Sequence, residues 1–551
     1  MEKRISDIRI YFRHKNREAR KITKHFQKYV GFIIRRERII SLIWFLAMTG
    51  SAALFAALYP GLFSTPESLQ SMSETLNSPV MVAMMGPVYG LSNITTAIAM
   101  AQECLIWFAI AVIVMNIFFV NRHTRVDEEL GRHEMILSLR VGRLTGSTAT
   151  LFSAFMLNVL ISISSALVII LLNIDGTTIL GAVCYAFSIG LQGFLFAAVT
   201  LLTAQLCSTA RGSMSVSFGL MGLFYIMRAY GDISGNAFSY ISPMGIGLKV
   251  EAFYSDAYWP CIVLLAEALV IAAIALKLNT IRDLGAGIFP ARKGRSRASV
   301  FLKNPLGLFW RLSKSSFIGW GITFFILGLC YGSIIGELES FIENNNTLKQ
   351  MLQATGGSQT AYIDAFLPML CGIIAMLISI PVINTINLVT HEEKRGRMEQ
   401  IYARVVSHSS VFLSSILIAV FETILFMLLS MTGFYMASVN TGLVSLETII
   451  HASSVQIPAV LVMSAIAALL VGVLPKLTAL IWVLFAYSFL ILYFGGLFDL
   501  PEWVTRISPF GNIPQIPVEE FTPAPVVILC IITGILYAFG HKGYKERDIR
   551  A

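Results

Sequence analysis

AIAMAQECLIWFAIAVIVMNIFFV, residues 97–120, holds one charged side chain, Glu103, in an otherwise apolar run. A helix rises 1.5 Å per residue, so this stretch measures about 36 Å and exceeds the roughly 30 Å hydrocarbon core of a bilayer. It gives way at once to NRHTRVDEELGRHEMI, residues 121–136, dense in charge. That succession reads as a membrane span handing over to a water-facing loop. Comparable runs lie at 39–60, 146–173, 178–204, 213–230 and 259–277, then at 317–336, 362–389, 410–437, 452–474, 477–498 and 524–541. The expected fold is therefore all-α and integral to the membrane, with about twelve transmembrane helices.

Composition agrees. Of 551 residues 56% are hydrophobic and only 13% charged, against roughly 25% charge in a soluble domain. The seven cysteines are scattered singly through apolar runs, with no CxxC pair, and read as small hydrophobes. The opening residues are basic and polar and lack the short apolar stretch of a cleaved leader, so the spans themselves are expected to direct insertion.

The net charge of +9 has a topological explanation. With both ends cytoplasmic, all Lys and Arg except Arg228, Lys249, Lys349 and Arg506 fall in cytoplasmic segments. An odd number of spans would put one basic end on the wrong side. Nucleic acid is not an expected partner.

The chain also repeats itself. Gly131-Arg132-His133-Glu134-Met135-Ile136 returns as Gly396-Arg397-Met398-Glu399-Gln400-Ile401, each copy preceded by an acidic pair, Asp127-Glu128 or Glu392-Glu393. Ile241-Ser242-Pro243-Met244-Gly245 returns as Ile507-Ser508-Pro509-Phe510-Gly511, Arg282-Asp283 as Arg547-Asp548, and Arg211 as Lys476. Gly31, Arg35 and Trp44 match Gly307, Arg311 and Trp320. Ordered matches at nearly constant spacing predict two tandem parallel six-helix repeats, with a pathway at their interface. The predicted organisation is a cytoplasmic amphipathic segment 1–38, a first transmembrane half 39–277, a cytoplasmic linker 278–316 with a second interfacial helix, a second half 317–541, and a cytoplasmic tail 542–551.

Three groups of residues invite function. In the basic opening segment, Ile8, Tyr11, Phe12, Ile22, Phe26 and Tyr29 alternate with Arg9, Arg13, Lys15, Lys21, Lys24 and Lys28, the pattern of a helix at a lipid surface; Pro305 to Lys314 is its shorter counterpart. The charged loops 121–145 and 391–409 suit short helices parallel to the membrane. A solvated turn would account for their arginines but not for the matched Gly-Arg-x-Glu-x-Ile, which a helix offered to a cytoplasmic partner explains. Ionisable or polar groups at membrane depth form the third set: Glu103, Glu267, Asp364 and Glu422, with Asn158 near the counterpart position of Glu422. Glu422 lies deepest and is the first candidate to face a substrate pathway, with Asn158, Glu103 and Asp364 behind it.

Soluble-enzyme chemistry has little support. The dipeptide Gly-Lys never occurs, so a phosphate loop is absent from the sequence; His133-Glu134 and His391-Glu392 lack the second histidine of a helical zinc motif; Gly-x-Ser-x-Gly is missing. A transporter of this kind uses an ion gradient or borrows an ATPase.

Arg282-Asp283-Leu284-Gly285-Ala286-Gly287-Ile288-Phe289-Pro290-Ala291-Arg292, followed by Pro305-Leu306-Gly307-Leu308-Phe309-Trp310-Arg311-Leu312 and Ile318-Gly319-Trp320, resembles the fused twelve-span permeases of ABC-type exporters for polyketide antibiotics, the tetronasin-resistance type. The resemblance extends to the Asn77-Ser78-Pro79 to Gly86-Pro87 loop and the Gly-Arg-x-Glu loops. It implies an ABC-2-exporter-like fold in a bacterial cell membrane and efflux of amphiphilic small molecules. It also implies two copies of a separate ABC ATPase beneath the permease, which bind the ATP and Mg while this chain binds no cofactor or metal. The loops then become coupling helices, with Glu128, Gly131, Arg132 and Glu134 in one half and Glu393, Gly396, Arg397 and Glu399 in the other as ATPase contacts. A proton-coupled secondary transporter is the rival, with Glu422 as its membrane-embedded carboxylate; a polytopic membrane enzyme or scaffold is the third reading.

Overall fold

The structure, a computed structural model, describes residues 25–63, 69, 72–73, 76–77, 79–90, 94–139, 141–283, 285–289, 299–344, 359–403, 406–439, 442, 444–494, 502–519 and 521–547. Segment 1–24, Ser78, Pro290 to Arg292 and Asp548 lie outside the described residues. Among the described residues every regular element is helical. The chain divides into two compact units, Met1–Lys293 and Gly294–Ala551.

The first unit runs α1 (Phe26–Leu62), α2 (Pro79–Met85), α3 (Thr96–His123), α4 (Arg125–Glu129), α5 (Arg132–Leu137), α6 (Thr145–Leu172), α7 (Ile179–Leu206), α8 (Ala210–Ser234), α9 (Phe238–Ile241), α10 (Pro243–Leu248) and α11 (Trp259–Ile281). The second runs α12 (Pro305–Asn344), α13 (Gln359–Lys394), α14 (Arg397–Tyr402), α15 (His408–Ser438), α16 (Leu446–Ser454), α17 (Ile457–Val473), α18 (Leu480–Phe494), α19 (Glu502–Ile507) and α20 (Pro523–Glu546). Hydroxyl N-caps set several starts: Thr95, Thr178, Thr209, Ser407 and Ser445 each accept from a backbone N–H three residues on.

Among the described residues ten helices are long and apolar enough to cross a membrane. This is an all-α, multi-pass membrane protein. Lipid-facing positions stay apolar and exposed, as at Leu42, Leu46, Leu160, Leu167, Leu417 and Leu428. The two remaining runs, 213–230 and 477–498, are each fifth in their half. The first is α8, which carries Arg211, Arg228 and Asp232; the second is α18, whose 15 residues span only about 22 Å. A further difference concerns the surface helices. Residues 26–38 and 305–314 are the opening turns of α1 and α12, continuous with the first span of each unit, not separate interfacial helices.

Packing follows the same order in both units. The first span packs on the third (α1 on α6, α12 on α15), the second on the fourth (α3 on α7, α13 on α17), and the fourth on the sixth (α7 on α11, α17 on α20). Within lipid, close van der Waals approach is the main adhesive between helices, and small residues permit it. In the second unit a Cβ on Gly328 would lie 2.1 Å from the Ser430 carbonyl, and one on Gly472 would lie 2.0 Å from that of Gly540. The first seam joins the first and third spans and the second joins the fourth and sixth, while each charged loop connects the second span to the third.

Candidate functional site

In the first unit the chain leaves α3 through Thr124, makes the single turn α4, and reverses at Gly131 into α5. Gly131 has φ 68°, and a Cβ there would meet nothing within 4 Å. Glycine is required by the left-handed backbone rather than by crowding. Asp127 is buried and accepts from Arg36 of α1 at 2.6 and 3.0 Å and from Arg132 at 3.2 Å. Glu128, with 6% of its side chain exposed, is gripped by Arg125 at 2.8 Å and by Arg282, the residue just after α11. Arg125 is fully buried and donates to the carbonyls of Ser208, Gly285 and Ala286. Arg282 also donates to Gln205 Oε1 of α7 at 2.6 Å and to the Ala286 carbonyl at 2.7 Å.

This accounts for the Gly285-Ala286-Gly287 signature. A Cβ on Gly287 would stand 2.5 Å from the backbone of Cys207 and Ser208, so only glycine lets the linker lie against the end of α7. The amides of Ile288 and Phe289 then donate to the carbonyls of Gln205 and Leu206. Burial, with the Arg282 cation nearby, holds His133 below its ordinary value against the pull of Glu128 and Asp127.

The second unit repeats the plan. Gly396 has φ 67° and open space around it, and α14 begins with Arg397. Arg397 donates to the buried Glu392 at 2.6 Å, as Arg132 does to Asp127. Glu393 is paired with Arg547, the residue just after α20, and accepts from Tyr544 Oη at 2.6 Å. Arg547 donates to the Val471 carbonyl of α17 at 2.9 Å, and Tyr402 of α14 meets Tyr544 at 2.6 Å.

Glu134, Met135, Glu399 and Gln400 are exposed, as are Arg132 and Arg397. Met135 is 73% exposed, with Leu130 and Leu139 open beside it. Of the eight residues expected to contact an ATPase, Arg132, Glu134, Arg397 and Glu399 thus lie on a free face. Glu128 and Glu393 turn inward and anchor the loops, and the two glycines set the reversals. Residues 302–545 match the family model described as Multidrug efflux system permease Rv1217c, C-terminal domain. That stretch contains α14 and its supports from α13 and α17. Along its length the chain is also similar to Multidrug efflux system permease protein Rv1217c of Mycobacterium tuberculosis, 29% identical over 527 residues, with 94% of each chain covered.

Glu422, Asn158 and Glu103 each have a partner on a neighbouring helix of the same unit. Glu422, 2% exposed, accepts from Thr385 Oγ1 at 2.7 Å within the α13–α15 contact. Asn158 and Asn116 exchange amide hydrogen bonds at 2.9 and 3.0 Å between α6 and α3. Glu103 accepts from Tyr59 of α1. For Asp364 the structure describes the helix but not the side chain.

Sequence reading passed over Arg228, treating it as a stray cation. It is fully buried on α8 and donates to the carbonyls of Ala83 at 2.6 Å, Met84 at 3.1 Å and Val82 at 3.3 Å, the last turn of α2. Asp232, one turn on, balances it at 3.5 Å and accepts from Ser239 at 2.6 Å. A cation is favoured where a helix C-terminus leaves carbonyls unpaired. The Arg-x-x-x-Asp spacing in an apolar helix was the signal.

Proposed function

We propose that this chain is the membrane-spanning permease subunit of an ATP-driven ABC-type exporter, moving hydrophobic or amphiphilic compounds, polyketide antibiotics among them, out of a bacterial cell. The observation that carries the reading is the duplicated loop. Each unit presents a six-residue helix, entered through a left-handed glycine, with an arginine and a glutamate on its free face. A solvated turn has no need of that arrangement twice; a pair of identical partners does. The similar mycobacterial protein carries multidrug efflux and permease in its name.

In this reading both termini are cytoplasmic and α5 and α14 seat on two copies of a separate ATPase, which hold the ATP and Mg. Closure of the ATPases on ATP draws the two helices with them. A partner shifts a conformational equilibrium only by binding one state better than the other, and the exposed faces of α5 and α14 are where that difference is made. The test is Glu134→Lys combined with Glu399→Lys. Export of a lipophilic antibiotic from cells should fall to background while the chain still inserts at normal abundance; undiminished resistance refutes the assignment.

The buried Glu422 carboxylate favours a second reading, a proton-coupled transporter. Glu422→Gln would then abolish transport, and a protonophore would stop it at full ATP.

A further inference from the structure

The two anchoring ion pairs, Glu128–Arg282 and Glu393–Arg547, occupy matched positions and join matched parts. In each unit the carboxylate stands three residues before the reversing glycine, and the arginine is the residue that ends the sixth span. Each arginine also holds the end of the fourth span, through Gln205 Oε1 in one unit and the Val471 carbonyl in the other. Supporting groups differ: Arg125 backs Glu128, whereas Tyr544 and Tyr402 back Glu393. Different surroundings have kept the same strap.

We propose that Arg282 and Arg547 are positioning residues that transmit displacement of α5 and α14 to the packed pair of fourth and sixth spans. A loop tied only to its own flanking helices would pass motion to the second and third spans alone. The strap instead makes the loop and the ends of spans four and six move as one body. Arg36–Asp127 adds α1 in the first unit. The inference rests on the proposed function for the source of the motion, but the strap itself does not depend on it.

The experiment uses the full chain in lipid nanodiscs with its co-purified ATPase, trapped with ATP, Mg and vanadate, and reads amide hydrogen exchange. In the unaltered chain, trapping should change exchange at 132–137 and 397–402 and, together with them, at 277–286 and 540–547. In Arg282→Gln with Arg547→Gln the ATPase should still bind and the loop change should persist. The change at the ends of the sixth spans should fall about tenfold, the factor expected on losing a charge-assisted buried bond. Arg547→Lys, which keeps a cation able to donate to Glu393 and to the Val471 carbonyl, should retain it in the second unit. A response at 540–547 that survives the double substitution, or one that Arg547→Lys loses as fully as Arg547→Gln does, overturns the proposal. If no ATPase accompanies the unaltered chain, the proposed function falls and the strap is judged on the chain alone. There Arg547→Gln must raise exchange at 397–403 about tenfold, and unchanged exchange overturns it.

Discussion

Replacing Arg228 by methionine should loosen one region of the first unit and leave the rest intact. The guanidinium meets three carbonyls of α2 at 2.6 to 3.3 Å, and Asp232 at 3.5 Å. Methionine removes all four contacts and strands Asp232, whose remaining partner is Ser239. Breaking one side of a buried ion pair costs about 3–5 kcal/mol, because the surviving charge is left uncompensated. Exchange protection of the amides at 82–90 should therefore fall by a factor of about 10² to several 10³, while 182–199 in the core of α7 stays protected. Arg228→Met with Asp232→Leu removes the stranded charge and should recover part of the loss, roughly 2 kcal/mol. The assay is hydrogen exchange by mass spectrometry on the purified chain. A fall of less than tenfold at 82–90, or a double variant looser than the single one, would refute the view that this arginine holds α2 in place.

Gly396→Val should damage the second loop more than Gly396→Asn. Space around the position is open, so the penalty is the left-handed backbone alone, about 1–2 kcal/mol for an ordinary residue and less for asparagine; proteolytic nicking between 394 and 403 reads the difference, and equal rates contradict it. The first loop should loosen in acid. His133 is held neutral in the fold and takes a proton near 6.5 once released, so protection at 132–137 is flat above that pH and declines below it. Met398 fills the corresponding place in the second unit, so His133→Met should abolish the slope; a slope that persists assigns it elsewhere.

The spans were legible because a bilayer demands long apolar runs, and 97–120 or 410–437 admits no other reading. The fifth helices were read less well, since α8 carries a buried ion pair and α18 is short. The Gly-Arg-x-Glu repeat found both loops and both reversing glycines. It did not separate the exposed Glu134 from the buried Glu128, because Glu128 is buried by Arg282, a residue 154 positions away. The repeated Arg282 and Arg547 were visible as a match whose purpose lay in tertiary contact. The partners of the membrane-depth polar groups were not legible for a related reason: Asn158 and Glu422 meet Asn116 and Thr385 on a neighbouring helix of the same unit.

The account's central claim is that the motor is a separate protein. Its most direct measurement is transport of a lipophilic dye by sealed vesicles holding the purified chain, with and without the ATP-binding protein that co-purifies with it. ATP should drive dye movement only when that protein is present, and its ATP turnover should rise when the permease is added. Vigorous movement by the chain alone on an imposed pH gradient, indifferent to ATP, would contradict the account.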